Sequence, residues 1–260
     1  MIAPTDVPGL LDLRGKRALV TGGSRGIGAA TAWLLARAGA DVGITYRTRS
    51  EDAERVVERV RAFGVRGWAA GGDLADRAAV DRIFERCERE MGGLDCFIAN
   101  AGIWTVEPIA LAEMTDDSWR EMIETNLSSV FYTTRAALRR LADGGRVVLV
   151  SSTAGQRGEA FHAHYAATKG ALIAMVKSLC IECAPRGITV NGVAPGWVET
   201  EMTEAPLSGP DREEIVAEIP LGRVARAEEI AGPIVFLCSE LARHITGEIL
   251  NVNGGSVLCG

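Results

Sequence analysis

The feature that most narrows the fold is a near-unbroken alternation of short β-rich runs with segments of helical apolar spacing. Residues 17–20 form a β-rich run that ends in glycine-rich sequence, and 27–37 then carry apolar residues at helical intervals up to Gly39. The pattern recurs as strand 41–46, helix 51–63 closed by Gly64, strand 65–70, helix 75–91 and strand 94–99. It continues with a long helix 119–141, strand 146–150, a long helix 163–184, strand 188–193, helix 226–237 and strand 248–252. Strands joined through helices run parallel with right-handed crossovers. Apolar strands bounded by glycine are those covered on both faces. The expected class is therefore α/β, a doubly wound, mostly parallel sheet with helices on both faces.

At 260 residues the chain can bury one large core, and it reads as a single domain over 1–260. Residues 1–12 read as an N-terminal extension. The least regular stretch, 196–223, contains Pro206, Gly209, Pro210 and Pro220, and is expected to be an inserted lid or substrate loop. A net charge of −6 argues against nucleic acid or an anionic membrane as the main partner. No apolar run approaches the ~20 residues that span a bilayer. Residues 1–12 lack a basic segment followed by an apolar one, so a cytoplasmic location is expected. Six cysteines are scattered; Cys180 and Cys183 form a CxxC, but inside a helical pattern with no second pair, which points to packing and to no metal.

The run Thr21-Gly22-Gly23-Ser24-Arg25-Gly26-Ile27-Gly28 lies between the first strand and the first helix. Gly22 permits a tight turn, Gly26 lets backbone approach a pyrophosphate, and Gly28 lets helix and strand pack closely. The helix amides and dipole then face the phosphates. A Tyr and a Lys four apart, Tyr165 and Lys169, project from one face of the helix at 163–184. A free phenol, with a pKa of about 10, is a poor base at neutral pH, and a neighbouring ammonium would stabilise its phenolate. Lysine at this position is notable because only Lys16, Lys169 and Lys177 are lysines among 28 basic residues. Ser152, at a strand end, would hydrogen-bond the same substrate oxygen that Tyr165 protonates.

With Asn100-Ala101-Gly102, Asn126, Tyr165-Ala-Ala-Thr-Lys169 and Pro195-Gly196 in the same order, the chain resembles the classical short-chain dehydrogenase/reductase family over about Leu13 to Gly255. The resemblance implies a seven-stranded Rossmann sheet in the order 3-2-1-4-5-6-7, with a dinucleotide across the carboxyl ends of the strands. It implies that Asp73 and Leu74 flank the adenine, and that Asn100, Ala101 and Gly102 line the ribose side. Pro195, Gly196, Val198 and Thr200 would line the nicotinamide end, Thr200 holding the carboxamide. Lys169 would also hold the nicotinamide ribose, and Asn126 would carry a water linking Lys169 to solvent. Asp73 has a second reading, as the cap of the helix beginning near residue 75.

A carboxylate at the end of the second strand would bind the adenosine 2′-hydroxyl; this chain has Tyr46, followed by Arg47 and Arg49, with Arg25 nearby. A guanidinium suits a 2′-phosphate, so NADP(H) is favoured, with NAD(H) as the alternative; solvated surface arginines would look the same. The implied activity is hydride transfer between nicotinamide and a carbonyl or secondary alcohol. The subgroup that it most resembles is the 3-oxoacyl-(acyl carrier protein) reductases. A sugar, polyol or cyclic-alcohol dehydrogenase is the alternative, and a non-catalytic NADP(H)-binding redox sensor is the reading from another class. Trp104, Ser152, His162, Trp197 and Met202 suggest a partly apolar pocket for a small-molecule substrate. In that subgroup two arginines commonly dock the carrier protein. Arg186 matches one, while the other falls at Asp143, of the wrong sign, although Arg139 and Arg140 lie one turn earlier; this departure leaves acyl carrier protein doubtful as a partner. The family commonly forms tetramers through its long helices and last strand, so a homotetramer or dimer is expected.

Overall fold

The computed structural model describes residues 11–258. In chain order its elements are β1 (Arg17–Val20), α1 (Gly26–Arg37), β2 (Asp41–Tyr46), α2 (Ser50–Arg61), β3 (Gly67–Gly71), α3 (Arg77–Met91) and β4 (Leu94–Ala99). There follow α4 (Asp116–Ile123), a π-turn (Glu124–Ser128), α5 (Ser129–Leu138), β5 (Leu141–Val150), α6 (Thr153–Arg157), α7 (Ala163–Cys183) and β6 (Thr189–Pro195). The last part holds β7 (Val198–Glu199), α8 (Glu204–Ser208), α9 (Arg212–Ala217), β8 (Ala225–Arg226), α10 (Ala227–Cys238) and β9 (Ile249–Val252).

Seven strands form one parallel sheet in the order β3-β2-β1-β4-β5-β6-β9, the expected doubly wound topology. Its register aligns Ile44, Val20, Ile98 and Val148 across four strands. The period of two along each strand divides the core. Val20, Ile98 and Val148 pack with α1, α2 and α10, whereas Leu19, Phe97 and Leu149 pack with α3, α5 and α7. Both faces are thus covered, which is why the strands are apolar throughout rather than alternating with polar residues.

Several boundaries differ from those expected. The third strand starts at Gly67 rather than 65, and α3 starts at Arg77 because Asp76, not Asp73, caps it by accepting from the Ala78 N–H at 2.9 Å. Asp73 instead accepts from the Ala75 N–H at 2.9 Å in the turn before. The long helix begins three residues early, where the Thr115 hydroxyl accepts from Ser118 N–H, and stops at Leu138. Residues 141–145 were expected to end that helix and turn. They extend β5 instead, since Leu141 pairs with Leu94 before a register irregularity. The irregular stretch 196–223 holds α8 and α9 over a small core of Leu207, Ile215, Ile219 and Val224. It is pinned at its base by the parallel pair β7–β8, with Val198 opposite Ala225. Cys180 and Cys183 are free thiols within α7, Cys183 buried and Cys180 half-buried. Cys259 and most of the 1–12 extension lie outside the described residues.

The approach of α1 to the β1 turn depends on Gly28: a Cβ there would sit 2.3 Å from the Gly22 carbonyl oxygen and 2.6 Å from Asn100 Nδ2. Gly28→Ala is therefore expected to destabilise the fold by about 1–3 kcal/mol, measured by urea denaturation. An unchanged midpoint would show that the helix yields without cost.

Candidate active site

The carboxyl ends of β1, β2, β4, β5 and β6 border one cleft, at the point where the strand order reverses on either side of β1. Two threonines, Thr21 at the head of the glycine run and Thr45, which the sequence did not single out, brace its floor. Thr45 Oγ1 accepts from the Gly22 N–H at 3.1 Å, and its carbonyl accepts from Gly23 N–H at 2.9 Å. Thr21 Oγ1 accepts from the N–H groups of Asn100 and Ala101 at 2.9 and 3.0 Å. The Asn100 amide donates back to the Thr21 and Gly22 carbonyls at 3.0 and 3.2 Å. These bonds lock the glycine turn to the loop after β4. Gly26 takes φ +53, and a Cβ on it would meet Thr200 Cγ2 at 3.3 Å, so the turn and the residue expected at the nicotinamide end close against each other.

All the residues nominated for the dinucleotide line this cleft. The glycine turn (Gly22, Ser24, Arg25, Gly26, Ile27, Gly28) lies at one side with Tyr46, Arg47, Asp73 and Leu74. Asn100, Ala101, Gly102, Pro195, Gly196, Val198 and Thr200 continue it towards Tyr165 and Lys169. The three arginines are not equivalent. Arg25 and Arg49 both reach the Glu201 carboxylate, at 2.6 and 3.0 Å, while Arg47 lines the cleft and, among the described residues, makes no ion pair. Glu201 carried no signal in the sequence beyond its place after Thr200.

Lys169 is 5% exposed, and its Nζ donates to the Val150 carbonyl at 2.9 Å. It lies 5.8 Å from the centre of the Tyr165 ring. Burial of the amine pulls its pKa down to about 8. Tyr165 goes the opposite way from the expectation. Burial pushes its phenol up to about 12, the Ser152 hydroxyl draws it partly back, and the Glu159 charge adds to the rise. The phenol is therefore a proton donor through the neutral range. Ser152 caps α6 by accepting from Ala154 N–H at 3.1 Å, which leaves its own hydroxyl proton directed towards Tyr165. Asn126 is fully buried in the π-turn. Its Oδ1 accepts from Ile103 N–H at 2.7 Å and its Nδ2 donates to Ile103 O at 2.8 Å, so both ends of the amide clamp the loop after Gly102.

Trp104, Trp197 and Met202 line the cleft, with the Trp104 and Trp197 rings edge to face at 5.9 Å. His162 does not line it. Its ring is buried and stacks on Trp104 at 5.1 Å, because Trp104 takes the outer position. Glu159 and Arg157, which the sequence reading passed over, line the cleft in its neighbourhood. Among the described residues, no group of His, Cys, Asp or Glu could hold a metal ion, and no helix is long and apolar enough to cross a membrane.

A family model described as Enoyl-(Acyl carrier protein) reductase matches residues 22–256. The 3-oxoacyl-[acyl-carrier-protein] reductase FabG of Salmonella typhimurium is 43% identical over 247 residues, covering 94% of this chain and 98% of that one. The chain belongs to the classical short-chain dehydrogenase/reductase family. It is an oxidoreductase acting at an alcohol or carbonyl carbon with a nicotinamide dinucleotide. Among solved members of this family, a Burkholderia cenocepacia short-chain dehydrogenase in complex with NADP superposes with TM-score 0.89 at 39% identity, covering 94% of this chain and 98% of that one. A blue fluorescent protein from a metagenomic library, in complex with NADPH, gives 0.90 at 37% identity, covering 95% and 100%.

The two titrations set an expected pH profile for reduction. The proton on Tyr165 is retained to about pH 12, whereas the Lys169 charge is lost as pH rises through about 8. The kcat/KM for carbonyl reduction, which reports the free enzyme, should be flat near neutrality and fall above about pH 8. A profile still flat at pH well above 9 would contradict this assignment.

Proposed function

We propose that the protein is an NADP(H)-dependent reductase of 3-oxoacyl-thioester or small-ketone type, with Tyr165 as acid, Ser152 as the second donor to the substrate oxygen and Lys169 as the buried cation. The observation that carries this reading is the convergence of the Tyr165 phenol, the Ser152 hydroxyl and the buried Lys169 amine on one cleft. The residues fit a dinucleotide: a glycine turn that tolerates no added Cβ, a helix N-terminus behind it, and guanidinium groups at the end of β2. When bound, the nicotinamide supplies the hydride.

The chain's own residues supply the rest. Ser152 and Tyr165 donate to the carbonyl oxygen and hold it in place; as charge grows on that oxygen, the Tyr165 proton transfers to it. The Lys169 ammonium, fixed by the Val150 carbonyl, favours the phenolate that is left. Asn126 positions this set through Ile103, with Gly102 held close to Lys169. Segment 196–223 would serve as the lid.

Arg25, Arg47 and Arg49 support a 2′-phosphate, and Glu201 competes for two of them. Acyl carrier protein is disfavoured as a partner. Arg186, the docking candidate, is bound to Asp143 at 2.9 Å and donates to the Leu138 carbonyl at 2.7 Å, so its charge is met within the chain. Carrier-free thioesters or small ketones therefore suit the surface better. A homotetramer or dimer in the cytoplasm belongs to the same reading, with exposed Trp119 and Phe131 on α4 and α5 and exposed Ile181 on α7 as candidate contacts.

Two measurements test this. Tyr165→Phe should retain NADPH binding by fluorescence while lowering NADPH consumption with an acetoacetyl thioester by about 10²- to 10⁴-fold. Normal turnover, or turnover of an enoyl thioester in place of the oxo compound, would overturn it. Arg47→Asp should lower the NADPH-over-NADH preference in kcat/KM, and Glu201→Gln should raise it, each by about three- to tenfold. An unchanged preference in both would remove the 2′-phosphate assignment.

A further inference from the structure

Beside the catalytic set, Trp104, Trp197 and Glu159 make a corner whose chemistry the reduction step does not use. The Trp104 indole N–H donates to Glu159 Oε1 at 3.0 Å, and His162 Nδ1 lies 3.5 Å from the same oxygen and 3.2 Å from the Ala160 carbonyl. Among the described residues, no donor reaches Glu159 Oε2, although the side chain is only 27% exposed and borders the cleft. A carboxylate offers acceptors only, so an oxygen enclosed by a bound molecule must receive a donor from that molecule or lose its hydration without return.

The backbone on either side of this carboxylate takes unusual angles. Gly158 takes φ +79 and Phe161 takes φ +63, a left-handed conformation that a bulky side chain rarely adopts. The Phe161 carbonyl is secured by the Ile109 N–H at 3.0 Å. Strain of this kind persists where surrounding contacts over-determine it, and it gathers at binding sites. Glu159 and the catalytic Tyr165 line the same cleft. Arg157, on the same wall, is the cation that could reverse the preference.

We propose that the Trp104–Trp197–Glu159 corner is a substrate subsite that takes a hydrogen-bond donor (hydroxyl, amide N–H or ammonium) carried on an apolar or ring-shaped body. The inference rests on the reductase reading for the position of the carbonyl, and narrows its substrate to ketones with a donor in the tail and without an anionic group there.

The test uses 4-methyl-, 4-hydroxy- and 4-aminocyclohexanone and 4-oxocyclohexanecarboxylate with wild type and Glu159→Gln. It reads kcat/KM with NADPH and, independently of turnover, affinity by saturation-transfer NMR. Wild type should bind the hydroxy and amino ketones about tenfold or more tightly than the methyl ketone, with the carboxylate weakest. Their ranking against each other shows whether hydroxyl or ammonium is the better fit. Glu159→Gln, which sets an amide donor against the ammonium and removes its counter-charge, should reduce the amino-to-methyl ratio about tenfold, in KM rather than kcat, whereas the hydroxyl, which can also accept, should lose less. Trp104→Phe keeps the ring and frees Oε1, and should retain the preference. Equal affinities in wild type, a preference for the carboxylate, or an unaltered ratio in Glu159→Gln overturns the proposal. Selective binding without reduction of any ketone would sink the reductase reading and leave the subsite standing; reduction of all four without preference would do the reverse.

Discussion

A lysine amine taken out of water beneath the carboxyl edge of a sheet is the constraint on which the site depends. Its nitrogen has the Val150 carbonyl at 2.9 Å, so the interior strand β5, the helix α7 that bears it and the loop at Gly102 must hold one geometry together. Ser151 strengthens the joint by donating to the Lys169 carbonyl at 2.8 Å. With β5 and α7 fixed in this way, Ser152 and Tyr165 come from different elements yet face the same space. A buried amine is costly and easily loses its proton, which is the same property that makes it responsive at mildly alkaline pH.

Much of this was legible in the residue pattern, for identifiable reasons. The strands are short and doubly covered, so Leu19, Phe97 and Leu149 announce themselves by apolarity alone. The glycine turn is legible because only glycine tolerates the approach seen at Gly28. Boundaries set by a single capping hydrogen bond were less so: Asp73 and Asp76 are three apart, and nothing local says which one the helix uses. The extension of β5 through 141–145 depends on pairing with Leu94, a contact distant in sequence. His162 and Trp104 compete for one place beside the cleft, and packing decides which ring faces outward. The raised Tyr165 pKa follows from burial and from Glu159, which no spacing rule connects to it.

Charge is where residue-by-residue reading is weakest, because it sees groups singly and the fold presents them in pairs. Arg186 reads as an outward cation, but Asp143 lies against it. Arg25 and Arg49 read as two free cations, and one carboxylate, Glu201, serves both. Such exposed pairs add little stability, and their effect lies in what they withhold from an incoming anion.

The π-turn between α4 and α5 has a geometric consequence for the helix around it. Ser129 reaches back five residues, to the Glu124 carbonyl, so one extra residue is accommodated within a single winding. Each residue of an α-helix advances the angle by about 100°, and that insertion offsets the azimuth of everything downstream. Asn126 can thereby turn inward to Ile103 while Val130 and Ala137 still seat against the sheet. Removing one residue to regularise the winding would force a choice between the two orientations, so the irregularity is the means by which one rod serves both the chemistry and the packing.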